Sequence, residues 1–118
     1  MEFIDNKLIN DFSRNGVVLC KGVFKEWLET LRVGVDKLIK NPSERERSYT
    51  PEDGTAPFFQ DLVNWDRISE FQDFIFKSNI GLYAAKLMNS KKSIFFHDHV
   101  LVKEPGSSIV TPWHKDKP

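Results

Sequence analysis

The residue pattern changes at Ser93, and this change constrains the fold more than any other feature. Before Ser93, apolar side chains recur mainly at intervals of three and four residues, the period of an amphipathic helix. From Ser93 to Val102 the chain is rich in phenylalanine and valine and poor in helix-favouring residues, which is typical of a strand. With 118 residues there is room for one domain. We predict an α+β domain, helical over about residues 1–90, with strands over about 93–118.

Four helices are predicted before residue 90. The first follows Asp5, a suitable N-cap, and ends at Asn15-Gly16, because glycine accepts the left-handed conformation of a C-cap. Gly34 interrupts the second at a cost of about 1 kcal/mol relative to alanine, so packing must offset it. The second helix carries its apolar stripe at Phe24, Trp27, Leu28, Leu31, Val35 and Leu38.

The third helix has its apolar positions at Ile68, Phe71, Phe74 and Ile75. Either Asn64 or Asp66 can cap it. A short break at Ser78-Asn79 separates it from a fourth helix, which ends at Asn89-Ser90.

Two connecting segments have their own character. The apolar run Val17–Cys20 predicts a short buried strand, with Cys20 in the core. Residues 41–57 contain three prolines, a glycine and a run of four charges, which favour a loop. This segment is either a domain linker or a surface loop, and we favour the loop because neither flank is large enough to fold alone. A lid over a site is a further hypothesis.

The predicted strand carries two histidines on one face. Alternation places Phe95, His97, His99 and Leu101 on that face, and Ile94, Phe96, Asp98, Val100 and Val102 on the other. His97 and His99 can form a metal-binding pair, can bond to neighbouring strands, or can line a pocket that contacts a co-substrate. The residues alone leave these alternatives open. A turn follows over Lys103–Ser108, and extended chain resumes at Ile109-Val110.

His114 and Asp116 form a candidate metal pair, although a His-x-Asp spacing alone is a weak signal that also arises by chance. In extended chain, residues two apart project to the same side and can bind one metal ion. Neutral imidazole with carboxylate suits ferrous iron, for which two histidines and one carboxylate leave open positions for an oxidant and a co-substrate. Trp113 either packs beneath the metal or lines the pocket.

Composition excludes several other classes of function. Lys plus Arg equals Asp plus Glu, 17 each, so nothing directs the chain to nucleic acid. No apolar stretch is long enough for a membrane span or a secretory signal. A single cysteine cannot form an internal disulfide, and together these features predict a cytoplasmic protein.

The two segments Phe95–Gly106 and Thr111–Asp116 together resemble the phytanoyl-CoA dioxygenase family, although the family often has glutamine where Lys115 stands. The resemblance implies an Fe(II)- and 2-oxoglutarate-dependent dioxygenase that hydroxylates a small organic or acyl substrate. It also implies a double-stranded β-helix (a jelly roll) with helices packed outside. His114 and Asp116 would be iron ligands, and His99 and Thr111 would face 2-oxoglutarate. His97 and Trp113 would be substrate-pocket residues.

The family also has a second histidine and a basic residue well after the His-x-Asp pair, and neither occurs here. We therefore expect an N-terminal fragment with an incomplete barrel, inactive alone, that self-associates through an open sheet edge. Two alternatives remain. One is a non-catalytic binding or assembly module that uses that edge, and the other is a jelly roll that binds zinc through His97, His99 and His114.

Overall fold

The computed structural model describes residues 3–115 and confirms the α+β class, with four helices and one two-stranded antiparallel sheet in that range. The described residues do not form a double-stranded β-helix. The helices are α1 Asn6–Asn15, α2 Leu28–Lys40, α3 Ser69–Lys77 and α4 Ile80–Leu87, with a 3-10 turn Lys25–Trp27 before α2. The strands are β1 Phe58–Leu62 and β2 His99–Lys103.

The ends of α1 lie where the sequence predicted them. The Asp5 carboxylate accepts a hydrogen bond from the Leu8 amide at 2.9 Å, which satisfies one of the open donors of the first turn. Gly16 has a φ of 73° and donates its N–H to the Phe12 carbonyl. A side chain at Gly16 would be strained in this conformation.

Helices α2 and α3 approach closely at Gly34. A Cβ built there would lie 2.7 Å from Cε1 of the buried Phe71 ring, so only glycine allows this distance. Lys37 and Glu70 form an ion pair beside the contact. The close packing explains how the helix tolerates the glycine. The core cluster here is Leu38, Ile68 and Phe71, with Leu31, Val35, Phe59, Trp65 and Val100 packed against it.

The two faces of the sheet differ. Phe59 and Val100 pack against the helical core. The opposite face carries the directly facing pairs Phe58 with Lys103, Gln60 with Leu101, and Leu62 with His99. The alternation predicted for residues 99–102 is confirmed, since exposed and half-buried residues alternate along β2.

The loop of residues 41–57 lies against the outer edge of β1, and the surface-loop prediction is confirmed. Tyr49 and Phe58 exchange two backbone hydrogen bonds of 2.9 Å, and the Arg47 amide donates to the Gln60 carbonyl at 3.0 Å. The Arg45 guanidinium donates to the carbonyls of Leu62 and Val63. The loop therefore occupies the edge of β1 that β2 leaves open.

The predicted strand Val17–Cys20 is wrong. This segment pairs with neither β1 nor β2, Val17 and Leu19 are exposed, and Cys20 is only half-buried. The run neither pairs with a strand nor buries its side chains, so it gains none of the contacts that stabilise a strand.

The strand boundaries also differ from the prediction. β1 lies before α3, inside the region expected to be helical, and β2 begins at His99 and not at Ser93. Val63 directly follows β1 with a φ of 55°, which turns the chain out of the ladder. Residues before His99 consequently have no strand to pair with.

Neither predicted capping residue caps α3. The residue before the helix is Ile68, which makes no side-chain cap. Asn64 is fully buried, and its carbonyl accepts the Arg67 and Ile68 amides in a preceding turn.

Candidate functional site

A cavity of about 1190 Å³ covers the face of the sheet that points away from the helices. The strands supply its floor, because alternate side chains of β1 and β2 project to this side. The lining residues are Tyr49, Phe58, Gln60, Leu62, Phe96, His97, His99, Leu101, Ser108, Ile109, Val110, Thr111, Pro112 and His114. All three histidines of the chain therefore line one cavity.

The chain after β2 forms one wall of this cavity. The predicted turn begins where β2 ends, with the Ser107 amide bonded to the Glu104 carbonyl and Gly106 at a φ of 86°. Ser108 is tied to the long loop, since its amide donates to the Thr55 hydroxyl at 3.0 Å and the two hydroxyls are 3.0 Å apart. The long loop and the turn therefore hold the wall together.

Hydrogen bonds fix the protonation of His99. The Gln60 amide nitrogen donates to the Arg47 carbonyl at 2.8 Å, which turns the amide oxygen toward His99. That oxygen lies 3.2 Å from Nε2 of His99 and can only accept, so Nε2 carries the proton. In this arrangement Nε2 is not a metal donor, and the lone pair of the neutral ring is on Nδ1.

The tautomer of His114 is fixed in the opposite sense. Its Nδ1 lies 2.8 Å from the Pro112 carbonyl oxygen, an obligate acceptor, so Nδ1 is the protonated nitrogen. The lone pair of the neutral ring is then on Nε2. Histidine ligands of metal ions characteristically donate their second N–H in this way, so the donor chemistry of His114 fits a metal.

The described lining of the cavity contains no acidic side chain. Within residues 3–115, no aspartate or glutamate lines it. Thr111 accepts a hydrogen bond from the Lys103 ammonium at 3.2 Å. His97 stacks on the Phe96 ring with centroids 4.6 Å apart. The polar lining consists of imidazole, hydroxyl and amide groups.

A buried carboxylate stabilises the sheet behind the cavity. Asp61 is fully buried and accepts hydrogen bonds from the Ser43 amide at 2.7 Å and the Ser43 hydroxyl at 2.5 Å. Burial alone would raise the pKa of Asp61, but the bonds from Ser43, Asn64 and the Leu62 amide outweigh it and lower that pKa below its ordinary value. This carboxylate is a structural group, outside the cavity.

Four of the six residues predicted for the site lie together. His97, His99, Thr111 and His114 line the cavity, whereas Trp113 is fully exposed and does not. Asp116 lies outside the described residues. Among residues 3–115, no three histidine, cysteine, aspartate or glutamate side chains are placed to hold one metal ion.

Sequence reasoning missed Gln60, which lines the cavity, and Lys103, which contacts the lining residues Thr111 and Phe58. A signal for Gln60 existed, since it alternates with Phe58 and Leu62 in an apolar run. Lys103 lies two residues after Leu101, so the same alternation places both side chains on one face of the strand. The sequence did not reveal the pairing of β1 with β2, because α3 and α4 separate the two strands along the chain.

Comparison of the chain with protein-family models, with curated proteins and with solved structures finds no match. In the described part of the chain, no helix is both long and apolar enough to cross a membrane. The functional argument therefore depends on the cavity and on the motif that lines it.

Proposed function

We propose that this chain carries the iron-binding front part of an Fe(II)- and 2-oxoglutarate-dependent dioxygenase similar to the phytanoyl-CoA dioxygenases. One observation supports it most: His97, His99, Thr111 and His114, from two separate segments, line a single cavity. Cavities with a few convergent polar groups are the usual sites for small ligands. A small organic or acyl molecule is the proposed substrate.

The proposed fold is a double-stranded β-helix of which β1 and β2 form part. Two features support it: the sheet is antiparallel, and it carries helices on one face and a ligand-sized cavity on the other. A cytoplasmic location belongs to the same proposal, since the single Cys20 forms no internal disulfide.

His114 and Asp116 would hold the iron, together with a third ligand from elsewhere. Bound iron would supply the position at which dioxygen is activated, while 2-oxoglutarate is oxidised to succinate and carbon dioxide and the substrate is hydroxylated. The Pro112 carbonyl keeps the proton of His114 on Nδ1 and so directs the Nε2 lone pair to a ligand role. Gln60 holds the Nε2 proton of His99, so the neutral ring offers its Nδ1 lone pair to a bound molecule.

A zinc site of His97, His99 and His114 is the second candidate, because all three line the cavity. The placement of the side chains argues against it, since among residues 3–115 no three histidine, cysteine, aspartate or glutamate side chains are close enough to hold one metal ion. His97→Ala separates the two candidates: it abolishes metal binding only if the zinc site is correct.

The experiment is an anaerobic calorimetric titration of the chain with Fe(II). We expect His114→Ala to weaken iron binding at least tenfold, because even the loss of a hydrogen-bond partner of a metal ligand costs about 10–100-fold. Lys115→Ala is the control, since this exposed neighbour alternates to the other side of the chain. Iron binding that is unchanged in His114→Ala would refute the proposal.

A further inference from the structure

The cavity is suited electrostatically to an anion. Its lining within residues 3–115 contains three histidines and several hydroxyl groups and no carboxylate. An anionic ligand would meet no like charge among these residues, and it could accept hydrogen bonds from the hydroxyl groups of the lining.

Lys103 provides a positive charge at one end of this lining. Its ammonium nitrogen donates to the Thr111 hydroxyl at 3.2 Å and lies 4.7 Å from the centre of the Phe58 ring. Both contacts are to residues that line the cavity. They hold the ammonium in one place, so less conformational entropy remains to be lost when a ligand binds.

The partners of Lys103 leave its charge uncompensated. Among residues 3–115, no carboxylate lies within 4.0 Å of its ammonium, and the five ion pairs of that range involve other residues. A hydroxyl and an aromatic face stabilise a cation only weakly in exposed positions. Thr111 accepts from Lys103 through oxygen, which leaves its own hydroxyl proton as a second donor.

We propose that Lys103 and Thr111 form a binding subsite for the carboxylate of a small-molecule ligand. The identification of that ligand as substrate or co-substrate rests on the proposed function. Lys103 lies four residues along β2 from His99, or about 14 Å at the usual rise of a strand. The subsite is therefore at the far end of the sheet face from the imidazole of His99.

The test uses the 118-residue chain without metal and three probes: 2-oxoglutarate, its neutral dimethyl ester, and hexanoate. Dissociation constants are measured by calorimetry for the parent and for Lys103→Gln, which removes the charge and keeps most of the length. The matched control is Lys91→Gln, an exposed lysine outside the cavity. Thermal unfolding checks that all variants fold.

We expect Lys103→Gln to weaken carboxylate binding about tenfold or more, since a hydrogen bond to a charged group is lost. Lys103→Arg keeps the charge and retains more affinity, Thr111→Val loses part of it, and Lys91→Gln is unchanged. An effect on 2-oxoglutarate identifies the co-substrate as the source of the carboxylate, whereas an effect on hexanoate alone identifies the organic substrate.

Three results would overturn the proposal: equal affinities of the parent and Lys103→Gln, equal affinities for 2-oxoglutarate and its ester, or no binding of any carboxylate by the parent. The measurement contains no iron, so it is independent of the iron titration. A chain that fails to bind iron but loses carboxylate affinity in Lys103→Gln would refute the dioxygenase and retain the subsite.

Discussion

The carboxylate of Asp98 accepts the backbone amide of Asn64, with both oxygens within 3.0 Å of its nitrogen. The same carboxylate accepts the Trp65 amide at 2.8 Å, and the Asp98 carbonyl accepts the Val63 amide at 3.0 Å. Val63 has a φ of 55°, which is strained for a β-branched residue. Because Asp98 is between His97 and His99, this junction determines which way both histidines face.

Replacing Asp98 with alanine should destabilise the protein by about 2–4 kcal/mol, because two amides lose their acceptor and each such loss costs about 1–3 kcal/mol. Urea unfolding measures the change. Asp66→Ala is the control, as its side chain is exposed, and it should stay within about 0.5 kcal/mol of the parent. A loss in Asp98→Ala no larger than the control would show that the junction contributes little.

Asp61 should make folding stability depend on acid pH. Hydrogen bonds overcome the effect of burial and hold its folded pKa below the ordinary 3.8. Its contribution is therefore complete above that value and is lost as the pH falls through the lower folded pKa. In Asp61→Asn the unfolding free energy, measured by urea titration between about pH 2 and pH 5, should fall less steeply with acid.

Ser43→Ala provides the matching variant, because it removes the hydroxyl that bonds Asp61 at 2.5 Å. It should reduce the acid dependence while leaving the carboxylate in place. Asp11, Asp53 and Glu70 also have lowered pKa values, so the parent is itself sensitive to acid. The quantity to compare is therefore the slope of unfolding free energy against pH in each variant and in the parent. Identical slopes in the parent and Asp61→Asn would contradict the prediction.

Gly34→Ala should destabilise the protein although alanine favours a helix by about 1 kcal/mol. The new methyl group would meet Phe71 Cε1 at 2.7 Å and Glu70 Cβ at 3.0 Å. Phe71 is buried in the core and cannot move aside without cost. Chemical denaturation should show a net loss of about 1 kcal/mol or more, whereas Val33→Ala, on the exposed side of α2, should change little. A more stable Gly34→Ala would mean that α2 and α3 are farther apart.

The outer edge of β2 should promote self-association. Phe58 and Gln60 direct their backbone groups to the loop, so the bonds to β2 come from Phe59 and Asp61. The backbone groups of His99, Leu101 and Lys103 therefore point to the outer edge, where no further strand pairs among the described residues. Sedimentation velocity should show concentration-dependent association.

Leu101→Lys should shift this association toward monomer, because lysine on an edge strand opposes edge-to-edge pairing. Val33→Lys, on an exposed helix face, is the control for added charge. Monomeric sedimentation of the parent at every concentration would contradict the prediction.

Local signals predicted the helices well. Asp5 and Gly16 act on groups three or four residues away, so the ends of α1 follow from sequence alone. The break between α3 and α4 at Ser78-Asn79 was also predicted. The strand predicted at Val17–Cys20 is wrong because an apolar run becomes a strand only where distant residues supply a partner strand and a surface to pack on, and this run has neither.

The candidate site was predictable only in part. Alternation predicted His97 and His99 on one face, and both line the cavity with His114. The alternation holds only from His99 onward, because His97 precedes β2 and Phe96, predicted for the other face, lines the cavity as well. Gln60 and Lys103 were missed because their roles arise from contacts across the sheet and across the turn. The metal ligand role of His114 with Asp116 remains a prediction.

The sequence by itself determined the α+β class, the bounds of α1, the loop of residues 41–57 and the alternation of side chains along β2. These features depend on backbone preference and on periodicity, which act over a few residues. Only the tertiary structure decided which strand pairs with β1, why Gly34 is needed, and which groups fix the protons of His99 and His114. Each of these depends on atoms brought together from distant parts of the chain, where packing and hydrogen-bond satisfaction override local preference.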